Sequence, residues 1–405
     1  MNRFHLTKGG EFVDTLLSPI REFVRKGDLL LLSLCLLASG YGLALIYSAT
    51  RWTDSNRYVI VQAVAIVLGV VAYAVLTFVD FRLFVDKCWK MIFCWEILFI
   101  LLVLTPLGHE VNGNRNWLKL HDALPLIQPD EIVKLSLILL LAWQMSRIHE
   151  NEDDISSLPC VTWMGGHLMI LLGVVAAVCG DMGMCVIYIC IFVIMTWCGG
   201  VKPRWYLGIG VPVVGGTVAL WNLVLPKTRF WNDYRIMRFR VIFDHDLDPL
   251  GKGFQQTRSL LAIGSGQLTG QGFLNGTQTQ SSFSESLPAR HTDFIFSVCG
   301  EELGMVGCLI LFLLLLLIVL RCFTIARQAD SLFSAYVAVG VAAMLIAQIG
   351  FNVGMCLYVA PVMGLTLPFI SYGGSSIVTM FAAMGIVSSV KSQTLPSWLK
   401  DRSKL

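Results

Sequence analysis

Apolar runs on the scale of a bilayer's thickness recur along almost the whole chain, and this pattern decides the class of fold. A helix crossing the hydrocarbon core needs about 20 predominantly apolar residues. Runs of that length or somewhat shorter lie at about 29–49, 58–79, 91–107, 131–145, 165–180, 182–197, 205–225, 294–320, 332–355 and 366–390. The stretch from 165 to 197 is too long for one span and has Gly180, Asp181 and Gly183 at its middle, so it reads as two short helices joined by a tight turn. The expectation is an all-α membrane protein with about ten transmembrane helices. Composition agrees, since only 14% of the 405 residues are charged and 56% are hydrophobic. A soluble surface needs about 25% charged residues, so lipid must cover much of this chain.

Lysine and arginine near the span ends set the orientation, because cytoplasmic loops carry the excess. One side collects Arg21, Arg25 and Lys26, then Arg82, Lys87 and Lys90, then Arg147, Lys202, Arg204, Arg321 and Arg327, and finally Lys391, Lys400, Arg402 and Lys404. The other side has none in the turns at Asp181 and 355–366, although its first turn holds Arg51 and Arg57. Both termini are therefore expected in the cytoplasm. The chain divides into a cytoplasmic segment 1–28, a polytopic domain 29–390 and a cytoplasmic tail 391–405. Two outside segments are longer, 108–130 and 226–292. The second is Gly-rich and polar, and is expected to fold down against the helices; loops this long are generally functional. About 27 mostly polar residues precede the first run, with no cleavable signal pattern. The 12 cysteines lie mostly in apolar runs, with neither C-x-x-C nor zinc spacing, and read as packing residues.

Ionisable groups inside spans are costly and mark function by default. Glu96, Glu131, Lys134, His167 and Asp181 qualify. Glu131 and Lys134 share a helix face at a spacing of three, as a packing ion pair or as the lining of a polar cavity. Asp181 at its Gly-flanked turn caps the next helix or serves a site. Asp293 stands where the long loop enters an apolar helix, a position that desolvates a carboxylate and suits a general base, or else caps that helix. Glu301 and Glu302 follow as further polar lining. Arg229, Arg235, Arg238, Arg240, Lys252 and Arg258 would meet a diphosphate or lipid headgroups. No Walker sequence occurs, and nothing points to nucleic acid.

Several strings, taken together and in order, resemble the SEDS family (shape, elongation, division and sporulation), which includes RodA and FtsW. They are Asn112-Gly113-Asn114-Arg115-Asn116-Trp117, Gln128-Pro129-Asp130-Glu131 with Lys134, Asp248-Pro249-Leu250-Gly251, Ala262-Ile263-Gly264-Ser265-Gly266, Gly276-Thr277-Gln278, His291-Thr292-Asp293-Phe294, Asn352-Val353-Gly354-Met355 and Leu367-Pro368-Phe369-Ile370-Ser371-Tyr372-Gly373-Gly374-Ser375-Ser376. The resemblance covers about 29–390. It implies glycosyltransfer from lipid II, a lipid-linked disaccharide-pentapeptide, in the bacterial cytoplasmic membrane, alongside a class B penicillin-binding protein. It also implies an essential Asp293, with Arg115, Trp117, Glu131, Lys134, Asp181, His291, Ser371 and Ser375 around the substrate. Gly276–Gln280 with Arg290-His291 resembles the RodA branch, and Gly364–Pro368 the FtsW branch; the RodA reading is favoured. Ala289 replaces a usual Glu, Tyr358 a usual Gly, and the sequence around Asp181 departs from the family's.

The chemistry implied is a single inverting displacement. The acceptor hydroxyl needs a base, assigned to Asp293. The diphosphate leaving group needs positive charge, assigned to Arg115, Lys134 and loop arginines. A divalent cation is the one cofactor this leaves room for. Two rival classes stay open on the residues alone: a flippase for the same lipid, and a scaffold that only activates a partner enzyme.

Overall fold

The computed structural model describes residues 21–53, 56–111, 114–119, 126–224, 227–228, 240, 252–283 and 286–393. Its apolar helices are α1 (Leu29–Thr50), α2 (Arg57–Thr77), α3 (Phe81–Leu101), α4 (Pro129–Glu150), α5 (Leu158–Val178), α6 (Met182–Cys198), α7 (Pro203–Ala219), α9 (Ile295–Gln328), α10 (Leu332–Cys356) and α11 (Gly374–Gln393). Seven are long and apolar enough to cross a membrane by length and composition; α3, α6 and α7 are shorter or more charged. A hairpin of β1 (Gly108–Val111) and β2 (Asn114–Leu118) lies between α3 and α4. The chain is a multi-pass, all-α membrane protein.

Four elements differ from the sequence expectation. Helix α3 starts ten residues before the expected 91, where Asp80 accepts the Leu83 amide at 3.1 Å as N-cap. Arg82, Asp86, Lys87 and Lys90 hide that first half from a hydropathy reading. Residues 366–373 are not helical: Pro368 and the left-handed Phe369 (φ 65°) interrupt the run before α11. The segment expected to be a plain loop contains the amphipathic α8 (Lys252–Gly266), packed on α9. Helix α9 itself breaks at Gly304, whose φ of 64° and ψ of −161° are open to glycine and costly for other residues.

That break is satisfied by the loop after α8. Gln271 N donates to Glu301 O at 2.9 Å and Gly272 N to Glu302 O at 3.0 Å. Across the break Met305 N donates to Gln267 O at 2.9 Å and Val306 N to Leu268 O at 3.1 Å. Irregular backbone at membrane depth is tolerated where other protein groups take up the freed donors and acceptors. The carboxylates follow suit. Glu301, fully buried, accepts from Gln278 N, Thr279 N, Thr277 Oγ1 and Thr279 Oγ1 at 2.6–3.1 Å. Glu302 accepts from Ser48 Oγ, Leu274 N and Gln280 Nε2. Both were expected to line a cavity; they clamp the loop to the helix instead.

At the opposite, basic end, buried Asp28 gathers three helices. Arg321 reaches it at 2.6 Å and Lys391 at 3.2 Å, and the Asp28 amide donates to Ser388 Oγ. Burial works against the Asp28 charge, but the Arg321 guanidinium holds its carboxyl below the ordinary value.

Candidate active site

The end of the bundle opposite Asp28 gathers nearly all the expected site residues, in three groups. In the first, Asp181 caps α6 through Met184 N at 3.1 Å and accepts Asn116 Nδ2 at 3.0 Å and Gln128 Nε2 at 3.4 Å. It therefore ties the hairpin, the start of α4 and the start of α6 together, combining the capping role with a junction. Arg115 and Trp117 flank Asn116 on β2. The Arg115 guanidinium is exposed and donates to Thr105 O at 2.9 Å; Trp117 is half-buried opposite His109.

The second group is the Glu131–Lys134 pair. Lys134 Nζ lies 2.8 Å from Glu131 Oε2, and both side chains are buried. Ser376 Oγ donates to the same oxygen at 3.3 Å and meets Thr366 Oγ1 at 3.0 Å. The pair thus locks α4 to the segment entering α11. A buried ion pair loses heavily when one partner is removed, so Lys134 acts here as a lock rather than as an exposed cation.

The third group surrounds Asp293. The N-cap of α9 is Phe294, one residue further on, whose own side chain makes no capping bond. Asp293 itself is half-buried, and its backbone carbonyl accepts Asn352 Nδ2 at 3.0 Å. The same Asn352 amide donates to Leu365 O at 2.6 Å. One buried side chain on α10 therefore fixes the loop entering α9 against the segment leading to α11. Gly364 on that segment faces the acid: a Cβ built there would lie 3.9 Å from Asp293 Oδ2, and its φ of 74° favours glycine. Ser371 is buried, with its hydroxyl donating to Thr292 O at 2.6 Å and accepting Leu367 N at 2.8 Å. It positions the backbone beside Asp293. Ser375 is half-buried in the first turn of α11.

His291 sits between Tyr58 and Tyr372, with ring centroids 4.9 and 5.7 Å away. Burial, then the neighbouring Arg290 charge, depress its pKa to about 4, so the ring is neutral at physiological pH. Arg290 stacks 4.7 Å over Trp52 and donates to the carbonyls of Gln278, Thr279 and Ser281. The first and third groups meet at Met363–Gly364: a Cβ on Gly183 of α6 would come 2.9 Å from Met363 O.

Sequence reasoning missed Gln62 and Tyr58, and met Asn352, Gly364 and Thr366 only inside family strings. Gln62, a buried polar group within an apolar span, was the signal available; it donates to Ser371 O and accepts Gly373 N. Ala289 and Tyr358, two of the positions where the sequence departs from the family's usual residue, are left-handed (φ 50° and 65°). Of the basic residues assigned to the long loop, Arg229, Arg235 and Arg238 lie outside the described residues, as do Asn112, Gly113 and the string 248–251.

The profile of the FtsW, RodA and SpoVE cell cycle proteins matches residues 28–395. The chain belongs to the SEDS family. Among relatives, it is 35% identical over 306 residues to the probable peptidoglycan glycosyltransferase FtsW of Haemophilus influenzae, covering 75% of this chain and 73% of that one. It is 33% identical over 294 residues to the peptidoglycan glycosyltransferase MrdB of Escherichia coli K12, covering 72% and 75%. A solved chain, from work on the structural coordination of polymerization and crosslinking by a peptidoglycan synthase complex, superposes with a TM-score of 0.74 at 28% identity, covering 90% of this chain and 97% of that one.

Proposed function

We propose that this chain is a peptidoglycan glycosyltransferase that polymerises lipid II at the extracytoplasmic face of the bacterial cytoplasmic membrane, with Asp293 as general base. The observation that carries the reading is the setting of Asp293. Its backbone is fixed by Asn352, it precedes the α9 N-cap Phe294 by one residue, and its half-buried carboxylate faces the Gly364 turn. Asp293 takes the proton of the acceptor sugar's 4-hydroxyl. That oxygen bonds to the donor's anomeric carbon with inversion, and the bond to the diphosphate breaks. One base suffices because the leaving group is already good, and exposed Arg115 offers charge nearby on the same end of the bundle. Lys134 supports the 366–376 segment from within. Among the described residues no three His, Cys, Asp or Glu side chains gather to hold a metal, and no step is assigned to one.

The finer parts of the proposal are an elongation role, a class B penicillin-binding protein as partner, and both termini in the cytoplasm. The string Gly276–Gln280, whose backbone and hydroxyls clamp Glu301, supports the RodA-like assignment, and the basic end supports the orientation. The full chain with its partner should convert lipid II into glycan strands. Headgroup translocation in liposomes without polymer would turn the assignment to a flippase. Depletion should give rounded cells; filaments would assign the septal role. Ser281→Cys should react with an impermeant thiol reagent in intact spheroplasts, and labelling only after lysis would invert the topology.

A further inference from the structure

At the basic end, far from Asp293, helices α3, α4 and α5 enclose a cleft that the glycosyltransferase reading leaves unused. Its walls are three tryptophans, one from each helix. Trp89 stacks on Trp143 with centroids 4.9 Å apart, and Trp163 meets Trp143 edge-on at 5.8 Å. The cleft has two connected compartments that share these rings. The inner one, about 330 Å³, runs along Gly166 and Ile170 between the spans. The outer one, about 580 Å³, opens among Arg147, Asn151 and Asp153 where α4 ends and the turn to α5 begins.

Each compartment specifies part of an occupant. The inner one is walled by apolar side chains within membrane-spanning helices. Its few polar groups are already engaged with each other: His167 Nε2 lies 3.0 Å from Glu96 Oε2, and His167 Nδ1 lies 3.3 Å from Gln144 Oε1. A hydrocarbon chain suits such a wall, and exposed Trp163 and Ile170 at its margin leave the entrance facing lipid. Indoles at this depth match the interfacial level of a bilayer, where their rings lie along chains and glycerol. The outer compartment presents both signs of charge. Arg147 is one wall and Asp153 another, with the Asn151 amide beside them. Arg147 is already shared between Asp86 and Glu150. Arg82 also pairs with Glu150 and Lys90 lies 5.4 Å over the Trp89 ring, so the rim carries both signs of charge side by side and suits a headgroup that carries both. A headgroup carrying a phosphate and an ammonium finds a guanidinium for the first, and a carboxylate with aromatic faces for the second.

We propose that this cleft binds one zwitterionic phospholipid of the phosphoethanolamine class, headgroup between Arg147 and Asp153 and one acyl chain along the three tryptophans. The site lies in the leaflet opposite to the catalytic end and does not depend on the role of Asp293. Binding of one lipid here would bridge α3, α4 and α5 along the three rings that line the cleft.

Gly166 provides a clean test. It lines the inner compartment, and a Cβ added there meets nothing within 4 Å, so Gly166→Trp adds bulk at the cleft from a position where a side chain can start unopposed. The purified, delipidated full chain should be titrated with dioleoyl-phosphatidylethanolamine or dioleoyl-phosphatidylglycerol and read by native mass spectrometry. The wild type should bind one phosphatidylethanolamine about tenfold more tightly than phosphatidylglycerol. Gly166→Trp should lose that bound lipid while its circular dichroism and unfolding temperature in detergent stay at the wild-type level. Asp153→Lys should reverse the headgroup preference. Equal binding of the two lipids by the wild type would overturn the headgroup assignment, and wild-type retention by Gly166→Trp would overturn the cleft. Displacement of the bound lipid by lipid II, in the wild type but not in Gly166→Trp, would make the cleft a substrate site and end the proposal.

Discussion

Two acidic regions lie within ten residues of each other at the mouth of α9 and meet opposite fates. Glu301 and Glu302, beside the Gly304 break, are completely buried and accept from backbone amides, hydroxyls and the Gln280 side chain within 274–280, with Ser48 adding its hydroxyl to Glu302. Asp293 is held through its backbone, by Asn352, and leaves its half-buried carboxylate toward the Gly364 turn. The contrast is one of setting in the same helix: the two glutamates are fully buried among fixed donors and hold the fold, while Asp293 is half-buried at the loop–helix junction, facing the Gly364 turn.

The sharpest way to break this comparison is Asp293→Asn. Asparagine keeps size and polarity but cannot take the proton. Polymerisation of lipid II should fall by about two to four orders of magnitude, with thermal unfolding and partner binding unchanged. Substantial turnover by the folded variant would return the base to Asp181 or Glu131.

Glu301→Ala should do the reverse. Stranding the buried amides of Gln278 and Thr279 costs about 3–5 kcal/mol in stability. The unfolding temperature should drop and 267–280 should become protease-sensitive, with Glu301→Gln recovering part of the loss because its oxygen still accepts. Activity lost at an unchanged unfolding temperature would move Glu301 into the chemistry.

A smaller effect sits on the Asp293 side. His291 titrates at about 4 when folded and near 6.5 when unfolded. The unfolded chain binds more protons between those values, so stability is full above about 6.5 and falls as pH drops toward 4, by about 1–3 kcal/mol. His291→Phe should flatten that dependence in unfolding scans; an unchanged slope would assign it to another group.

The smallest test concerns backbone conformation. Tyr358 holds a φ of 65°, which costs an L-residue about 1–2 kcal/mol. Tyr358→Gly should raise the unfolding temperature slightly, by up to about 1 kcal/mol of stability. A fall would show that the half-buried ring contributes more than the conformation costs.

Much of this was legible in the sequence, for identifiable reasons. Apolar length located the apolar helices, but α3 starts earlier than expected because its first half is charged, and α11 starts later because Pro368 and left-handed Phe369 interrupt the run. Asp181, Glu131, Lys134 and Asp293 stood out because charges are rare in such runs. The pairing partners did not stand out. Asn352 bonds two carbonyls 59 and 13 residues away, and an uncharged amide in a span gives no sign of which carbonyls it will meet. The Gly304 break was hidden because glycine is common in membrane helices, and its compensation comes from a loop about 35 residues earlier. For the same reason Glu301 and Glu302 could be read as buried but not as clamps.

The separation of ion-pair partners along the chain has a consequence for biogenesis. Glu131 and Lys134 lie within one helical turn, so the pair enters the translocon already mutually neutralised. Asp28 must wait for Arg321, 293 residues later, and then for Lys391. Until those helices emerge from the ribosome its carboxylate stays at the aqueous boundary, and α1 cannot take its final depth or tilt. The final seat of α1 therefore depends on helices near the other end of the chain, whereas the α4 pair depends on α4 alone.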